Sequence, residues 1–557
     1  LPTGKSVLRD AVSGQRRLLA GAAFLGSVHQ GGEALVPVIV GIVIDQAVST
    51  GSVGALVRWI VVLAVVFGAL SMSYRFAARA AERASEQAAH GLRMRLARRV
   101  LDPRGGAEAG RLPGALVNIA TGDAKRVGVV NTVLPFAVAG FVGLLVSAVS
   151  LLRISVPLGL LVLLGTPPLL WLTHLVGKPL ERRSSVEQER AAHASGVAAD
   201  LVSGLRVLKG IGAEAAAVAR YRRTSQDSLA ATLRAARAHA GHDGAILALT
   251  GIFIAVVALV GAHLAANGSI TVGELVAAVG LAQFLLGPFQ IFAWVNGQLA
   301  QGRASAERVA SVLAAPPAVT SGSGAPAGNG AGRVRLRGVT HGSLDALDLD
   351  VEPGEFLGVV APDPAAAAHL LDCLGREADP SAGTVELDGV AYTELDPHEL
   401  RGAVLVAAHD ADLFEGSLLD NVVTVSRDVD RALTASAADE VARTLPDGVH
   451  TLVAERGRSL SGGQRQRVAL ARALAADPPV LVVHDPTTAV DAVTEARIAG
   501  ELREVRQGRT TVLVTTSPAL LAVTDRVVVL DGGAVGAQGT HAELVHANPG
   551  YRSAVLS

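Results

Sequence analysis

Several residue types are scarce in this sequence of 557 residues, and each shortage excludes something. There is one cysteine, Cys373, so no internal disulfide can form and the chain suits a reducing interior. A net charge of −1 leaves no single-signed field to draw in nucleic acid. Lysine occurs four times among 49 basic residues, beside abundant Arg, Ala and Gly. That skew reads as compositional bias without functional content.

Apolar residues are plentiful. They make up 50% of the chain, with a mean hydropathy of +0.41, high for a protein in water. The excess is concentrated before residue 310, in six runs long enough to cross a bilayer, near 18–47, 55–78, 129–152, 155–177, 245–267 and 271–300. The first is too long, and too polar in its middle, for a cleaved signal peptide. The turns at 48–54 and 268–270 carry no Lys or Arg, and the turn near 153 carries only Arg153. The long connections are basic: Arg93, Arg95, Arg98, Arg99, Lys125 and Arg126 in one, Arg182, Arg183, Arg206, Lys209, Arg222 and Arg223 in the other. The positive-inside rule therefore predicts a multi-pass protein with both termini and both long connections in the cytoplasm. The Ala-, Arg-, Glu- and Leu-rich composition of those connections predicts helices that continue well beyond the membrane.

Polar side chains inside spans are candidate pathway residues. They are His29, Gln30 and Glu33 in the first span, His174 in the fourth, and Gln283, Gln290 and Asn296 in the sixth. Glu33 is ionisable within an apolar run. The alternative for each is a helix-packing hydrogen bond or a place at the interface.

Residues 315–332 are rich in Ala, Pro, Ser and Gly and read as a linker. The domains are thus 1–314 in the membrane and 333–557 in water. In the second, short apolar runs (Val334–Leu336, Phe356–Val360, Thr384–Leu387, Val404–Ala407, Val480–Val483, Thr511–Val514, Arg526–Leu530) alternate with helical stretches. That alternation predicts an α/β domain with a largely parallel central sheet.

Specific motifs follow. Glu455-Arg456-Gly457 precedes Leu460-Ser461-Gly462-Gly463-Gln464 and then Arg465-Gln466-Arg467. A hydrophobic strand then leads into Asp485-Pro486-Thr487-Thr488-Ala489-Val490-Asp491. This ordered series resembles the nucleotide-binding domain of an ATP-binding-cassette (ABC) transporter. Upstream, Gly114-Ala-Leu116 with Thr121-Gly-Asp123, and Ser203-Gly-Leu-Arg206 with Gly212-Ala-Glu214, resemble the intracellular connections of exporter-type half transporters. Ala304-Ser-Ala-Glu-Arg308 resembles their approach to the cassette. The resemblance covers nearly the whole chain. It implies a six-helix membrane domain of the exporter-type (type IV) fold, fused to a P-loop-NTPase-like α/β cassette. It also implies short coupling helices near Arg104–Pro113 and Ile211–Ala217, and a bacterial plasma membrane.

In that family two cassettes dimerise head to tail, each ATP lying between one phosphate loop and the other cassette's signature. The resemblance assigns the signature to Ser461, Gly462, Gly463 and Gln464, at the start of a helix whose N-terminus suits an anion. A plain helix start capped by Ser461 is the alternative, but a cap does not need Gly-Gly-Gln. Asp491 matches an aspartate that serves the opposite site.

The acceptor half departs from the family. Aligned on Pro353-Gly354-Glu355, its phosphate loop, Gly-x-x-Gly-x-Gly-Lys-Ser/Thr, falls on Ala361 to His369. Its glycines become Ala361, Pro364 and Ala366, its lysine Ala367 and its metal-binding hydroxyl Ala368. Asp363-Pro364 reads instead as a helix N-cap followed by proline at the first helical position. The metal-coordinating aspartate and catalytic glutamate fall on His484 and Asp485. The γ-phosphate-sensing glutamine falls on His409, within Ala408-His409-Asp410, and the switch histidine on Thr516. No Tyr or Phe stands at His341–Ser343, where an adenine-stacking ring is expected. A loose metal site of His409, His484 and Asp485 is an alternative reading.

Parts that serve a partner survive and parts that serve this chain's own ATP do not. The expectation is an ATPase-deficient half of a heterodimer, moving a small molecule or peptide across the membrane, with ATP and Mg²⁺ held mainly by a companion that has an intact Walker A loop. Hydrolysis would belong to the pair alone. An importer of siderophores or other cargo with the same fold, or a non-transporting membrane regulator, remain the other readings.

Overall fold

The computed structural model describes residues 2–326, 330–409, 412–423 and 428–556, without the side chains at 174, 176 and 178–182. The His174 and Arg182 side chains and Asp410, singled out above, lie outside the described residues. The chain divides into two compact units, one of residues 1–96 with 114–314, the other of 97–113 with the chain from 315 onward.

The first unit is helical. A short α1 (Gly4–Ser13) precedes α2 (Arg16–Val43), which continues through a wider turn at Ile44–Val48. Next come α3 (Val53–Val100), α4 (Pro113–Asn118), α5 (Ala124–Ile154) and α6 (Val156–Ser203). The series closes with α7 (Leu205–Gly210), α8 (Glu214–Ala266), α9 (Val272–Phe284) and α10 (Leu286–Leu313). Among the described residues, six helical stretches are long and apolar enough to cross a membrane. At roughly 1.5 Å per residue, the 53 residues of α8 extend far past the ~30 Å of a hydrocarbon core, as composition predicts. α1 was not foreseen; a reciprocal Thr3–Ser6 capping box starts it, and Val7 and Ala11 are buried.

The two expected coupling helices are only partly helical. Residues 102–112 form turns, because Gly105, Gly106 and Gly110 adopt φ of 63°, 88° and 68°, outside the helical region. Helix resumes at Pro113. Residues 211–213 likewise turn at Gly212 before α8 begins.

Two motifs quoted from the sequence meet within this unit. The fully buried Asp123 carboxylate accepts from Ser305 Oγ at 2.8 Å, from Arg308 Nε at 2.8 Å and from Arg308 Nη2 at 2.6 Å. The clamp joins the start of α5 to the end of α10.

The second unit holds twelve described strands: β1 (Val334–His341), β2 (Leu344–Val351), β3 (Phe356–Val360), β4 (Ala382–Leu387), β5 (Val390–Ala391), β6 (Val404–Ala407), β7 (Gly416–Ser417), β8 (Leu452–Val453), β9 (Val480–His484), β10 (Thr510–Val514), β11 (Arg526–Asp531) and β12 (Ala534–Gly539). The central sheet runs β12-β11-β3-β10-β9-β6 and is parallel except for the edge strand β12. β3 and β10 are buried along their whole length, which is why β3 reads as an unbroken apolar run and β10 as one preceded by two buried threonines. β1 and β4 instead join an antiparallel sheet, β2-β1-β4-β5. Behind β3 stands α11 (Pro364–Leu374), whose Cys373 is buried in the core; burial pushes its thiol up to about 12.

The segment read as a linker is partly fastened to this unit. Val319 is buried, and the Thr320 N–H and hydroxyl both donate to Asp379 at 2.8 Å. The buried Arg376 guanidinium donates to the carbonyls of Thr320 at 2.7 Å and Leu395 at 2.9 Å.

Replacing Arg308 by Met removes the two hydrogen bonds that the buried Asp123 carboxylate accepts from it and leaves Arg126, at 3.6 Å, as its counter-ion. Because Arg308 is half-exposed, the expected loss is about 2 kcal/mol, below that of a fully buried pair. The thermal unfolding of the detergent-solubilised chain reads it. The double variant Asp123→Asn, Arg308→Met is expected to recover most of the loss.

Candidate functional site

Helix α11 stands where a phosphate loop would deliver its donors, and its own residues use them. Pro364 has no N–H. The Ala365 N–H donates to the Asp363 side chain at 3.0 Å, and those of Ala366 and Ala367 donate to the Asp363 carbonyl at 3.1 and 3.3 Å. Asp363 thereby consumes the first turn, and its carboxylate stands where an anion would have to come. Ala366 and Ala367 are buried in the core, whereas Pro364 and Ala368 are exposed. Ala361 is half-buried at the end of β3. No lysine follows Lys209 anywhere in the chain.

The turn where an adenine-stacking ring is expected is filled by a residue that the sequence did not advertise. His369, from α11, accepts at Nδ1 from the Ser343 N–H at 3.0 Å and lies 2.9 Å from the Ser343 hydroxyl. Its ring packs against Gly342 so closely that a Cβ there would fall 2.3 Å from it. The His341 ring meets it edge-on at 5.5 Å. These residues do not fit a nucleoside triphosphate or its magnesium ion: the donors are spent, the cation is missing and the base position is occupied.

The strand ends bring the other altered residues together. His409 Nδ1 lies 3.2 Å from the Asp485 carbonyl, the rings of His409 and His484 are 5.9 Å apart, and His484 Nε2 lies 3.7 Å from the Asp485 carboxylate. A cavity of about 480 Å³ opens beside the two histidines. Among the described residues, no group of three or more His, Cys, Asp or Glu side chains is placed to hold a metal ion. Thr516 is exposed in the turn after β10, outside this cluster.

The signature is built differently. Ser461 caps α12 (Gly462–Ala475) in a reciprocal box: its hydroxyl accepts from the Gln464 N–H at 3.3 Å and its own N–H donates to Gln464 Oε1 at 2.8 Å. The N–H groups of Gly462 and Gly463 find no acceptor among the described residues. This helix therefore offers an anion the two donors that α11 withholds. The glycines differ in role. A Cβ on Gly463 would lie 2.4 Å from the Ala489 carbonyl oxygen, so packing alone demands glycine there, while one on Gly462 would make only ordinary contact.

Gln466 fixes the facing loop, donating to Thr488 Oγ1 at 2.7 Å and accepting from the Ala489 N–H at 2.9 Å. Glu495 was also not singled out from the sequence; it accepts from Thr487 at 2.6 Å and Ser517 at 2.8 Å, tying together the loops after β9 and β10. Asp491 is exposed and caps α13 (Ala492–Val505) by accepting from the Thr494 N–H at 3.0 Å. That bond holds its carboxyl below the usual range.

Comparison with known proteins agrees with this architecture. The family model for the ABC transporter transmembrane region matches residues 19–289, and that for the ABC transporter cassette matches 344–488. An ATP-dependent lipid A-core flippase of Thiobacillus denitrificans is 30% identical over 401 residues, covering 70% of this chain and 69% of that protein. The chain belongs to the ABC transporter family. It is a multi-pass membrane half transporter with an exporter-type membrane region fused to a cassette. A multidrug efflux ATP-binding/permease protein of Mycobacterium tuberculosis is 32% identical over 543 residues. That match takes in 96% of this chain, which spans 45% of the mycobacterial protein. A solved structure of a bacterial Atm1-family ABC exporter with ATP bound superposes with a TM-score of 0.76, at 23% identity, over 97% of each chain. At that identity the likeness speaks for the exporter fold alone.

Within the membrane region, His29, Glu33 and Gln283 line one cavity of about 570 Å³. Gln30 is buried and turned from it. Gln290 lines a second cavity with Thr173 and His242, and Asn296 is exposed apart from both.

Putting back the missing lysine alone does not rebuild an ABC phosphate site. Ala367→Lys is expected to leave ATP affinity at background in a filter-binding assay, because Asp363 still holds the donors. Crowding the core is expected to cost about 1–3 kcal/mol in thermal unfolding.

Proposed function

We propose that this chain is the ATPase-deficient half of an ABC exporter that works as an asymmetric pair. Its cassette closes over ATP held by a companion cassette with an intact phosphate loop, presenting Ser461, the open Gly462 and Gly463 N–H groups, and Gln464. Asp491, at the exposed start of α13, faces the same companion. The observation that carries this reading is the contrast between two helix N-termini: α11 has its donors consumed by Asp363, and α12 keeps two open. ATP and Mg²⁺ belong to the companion's loop, and this chain's own loop holds neither.

The efflux relative is more than twice as long as the stretch it shares with this chain, leaving room for a second half. The companion is such a half, on its own polypeptide or joined to this one. Matches to a multidrug efflux protein along 96% of the chain and to a lipid A-core flippase along 70% favour a small amphiphile as cargo, moved outward across the bacterial plasma membrane.

Gly462→Asp tests the pairing, because its Cβ is tolerated where one on Gly463 is not. ATPase activity of the purified pair is expected to fall by roughly a hundredfold, the scale of removing preorganised donors to a developing anion. Thr516→His in this chain is expected to leave the rate within about twofold, since the site it belongs to does no chemistry. With hydrolysis blocked, nucleotide titration is expected to give one Mg·ATP per pair. Undiminished ATPase in the Gly462→Asp pair, with an unchanged melting temperature, refutes the reading.

A further inference from the structure

The groups that this chain offers a companion stand on two different helices. The open Gly462 and Gly463 N–H groups begin α12, and Asp491 begins α13. The rest of α12 and all of β9 lie between them in sequence. Their spacing is therefore set by tertiary contacts, and one side chain makes most of them.

Gln466 follows Gly462 by four residues and Gly463 by three, so it leaves α12 on the glycines' face. The Ala489 N–H can only donate, so Gln466 Oε1 must face it, at 2.9 Å, and Nε2 donates to Thr488 Oγ1 at 2.7 Å. One planar amide thus grips two consecutive residues. Ala489 is held from its other side as well. Its carbonyl oxygen abuts Gly463, and its Cβ lies 3.4 Å from where one on Gly462 would be.

The bonds run on to Asp491. Thr487 donates its hydroxyl to Glu495 at 2.6 Å, and the Val490 N–H closes a turn onto the Thr487 carbonyl at 2.9 Å. Asp491 accepts from the Thr494 N–H at 3.0 Å on its side chain and from the Glu495 N–H at 2.9 Å on its carbonyl. Each residue from Thr487 to Asp491 is bonded to α12, to α13 or within the turn. Yet Thr488, Ala489 and Asp491 are exposed, so hydrogen bonds rather than burial keep this stretch in place.

We propose that Gln466 is a positioning residue: it fixes Asp491 relative to the Gly462 and Gly463 donors, so that both reach the companion's ATP in register. The inference rests on the reading that this cassette closes over ATP held by a companion. Gln466 acts through the loop it grips, since its amide is engaged on Thr488 and Ala489.

Gln466→Met keeps the length of the side chain and removes both bonds. In the purified pair it is expected to lower kcat roughly tenfold while KM for ATP stays within about twofold, because misplacing preorganised groups costs rate more than binding. Asp491→Asn keeps the helix cap, and adding Gln466→Met to it is expected to slow the pair by no more than about twofold further, since the two act as one unit. Thr488→Ser, which keeps the acceptor, is expected to restore most of the rate lost in Thr488→Val. On the solubilised chain alone, hydrogen exchange at the Ala489 amide is expected to quicken about tenfold in Gln466→Met. Unchanged kcat in Gln466→Met, a lowered melting temperature as its sole effect, unchanged Ala489 exchange, or the full loss repeated on Asp491→Asn each overturns the proposal. If Gly462→Asp silences the pair and Gln466→Met does not slow it, the pairing stands and this inference falls; if neither variant slows it, both fall.

Discussion

One carboxylate sets the character of the cassette. Asp363 takes the Ala365 N–H on its side chain and those of Ala366 and Ala367 on its carbonyl, and Pro364 contributes none. A phosphate loop works because a helix start leaves donors unpaired; a helix start that pairs them internally is a stable cap and nothing more. The packing behind it follows suit. With no side chain needed for phosphate, Ala366 and Ala367 sink into the core, and His369 folds back on Ser343 and Gly342.

The opposite choice holds at the signature. Ser461 and Gln464 satisfy each other, which fixes the helix start without using the glycine N–H groups between them. Gln466 then anchors the Thr488–Ala489 loop against the same helix, and the Ala489 carbonyl sits where only a glycine leaves space. The signature is thereby held rigid by contacts within its own cassette, a precondition for presenting donors to another molecule without reorganisation.

What could be read from sequence was whatever depends on local chemistry. Six apolar runs, the Asp363-Pro364 cap and the apolar strands from Phe356 to Leu530 need no distant partner to be recognised. Contacts between remote residues were opaque. Nothing in the sequence pairs His369 with Ser343, or Glu495 with Thr487 and Ser517, although each decides local geometry. β2 escaped notice because Asp345, Asp348 and Asp350 dilute its apolar pattern, and β12 because it carries Gly536 and Gly539. The linker reading failed at Val319 and Thr320, since composition gives no warning that Arg376 will reach back for a carbonyl. In the spans, Glu33 alone stood out on paper, as an ionisable residue in an apolar run, and tertiary placement then set His29 and Gln283 beside it around one cavity and Gln290 on another.

Cys373 carries a practical consequence. Buried against β3 with its ionisation pushed up to about 12, it offers almost no thiolate at neutral pH. Maleimides and spin-label reagents will pass it by. The native polypeptide is therefore a ready blank for spectroscopy: a single thiol introduced on either face of the signature helix, or along the membrane cavity, would take a fluorophore or nitroxide without first stripping the background.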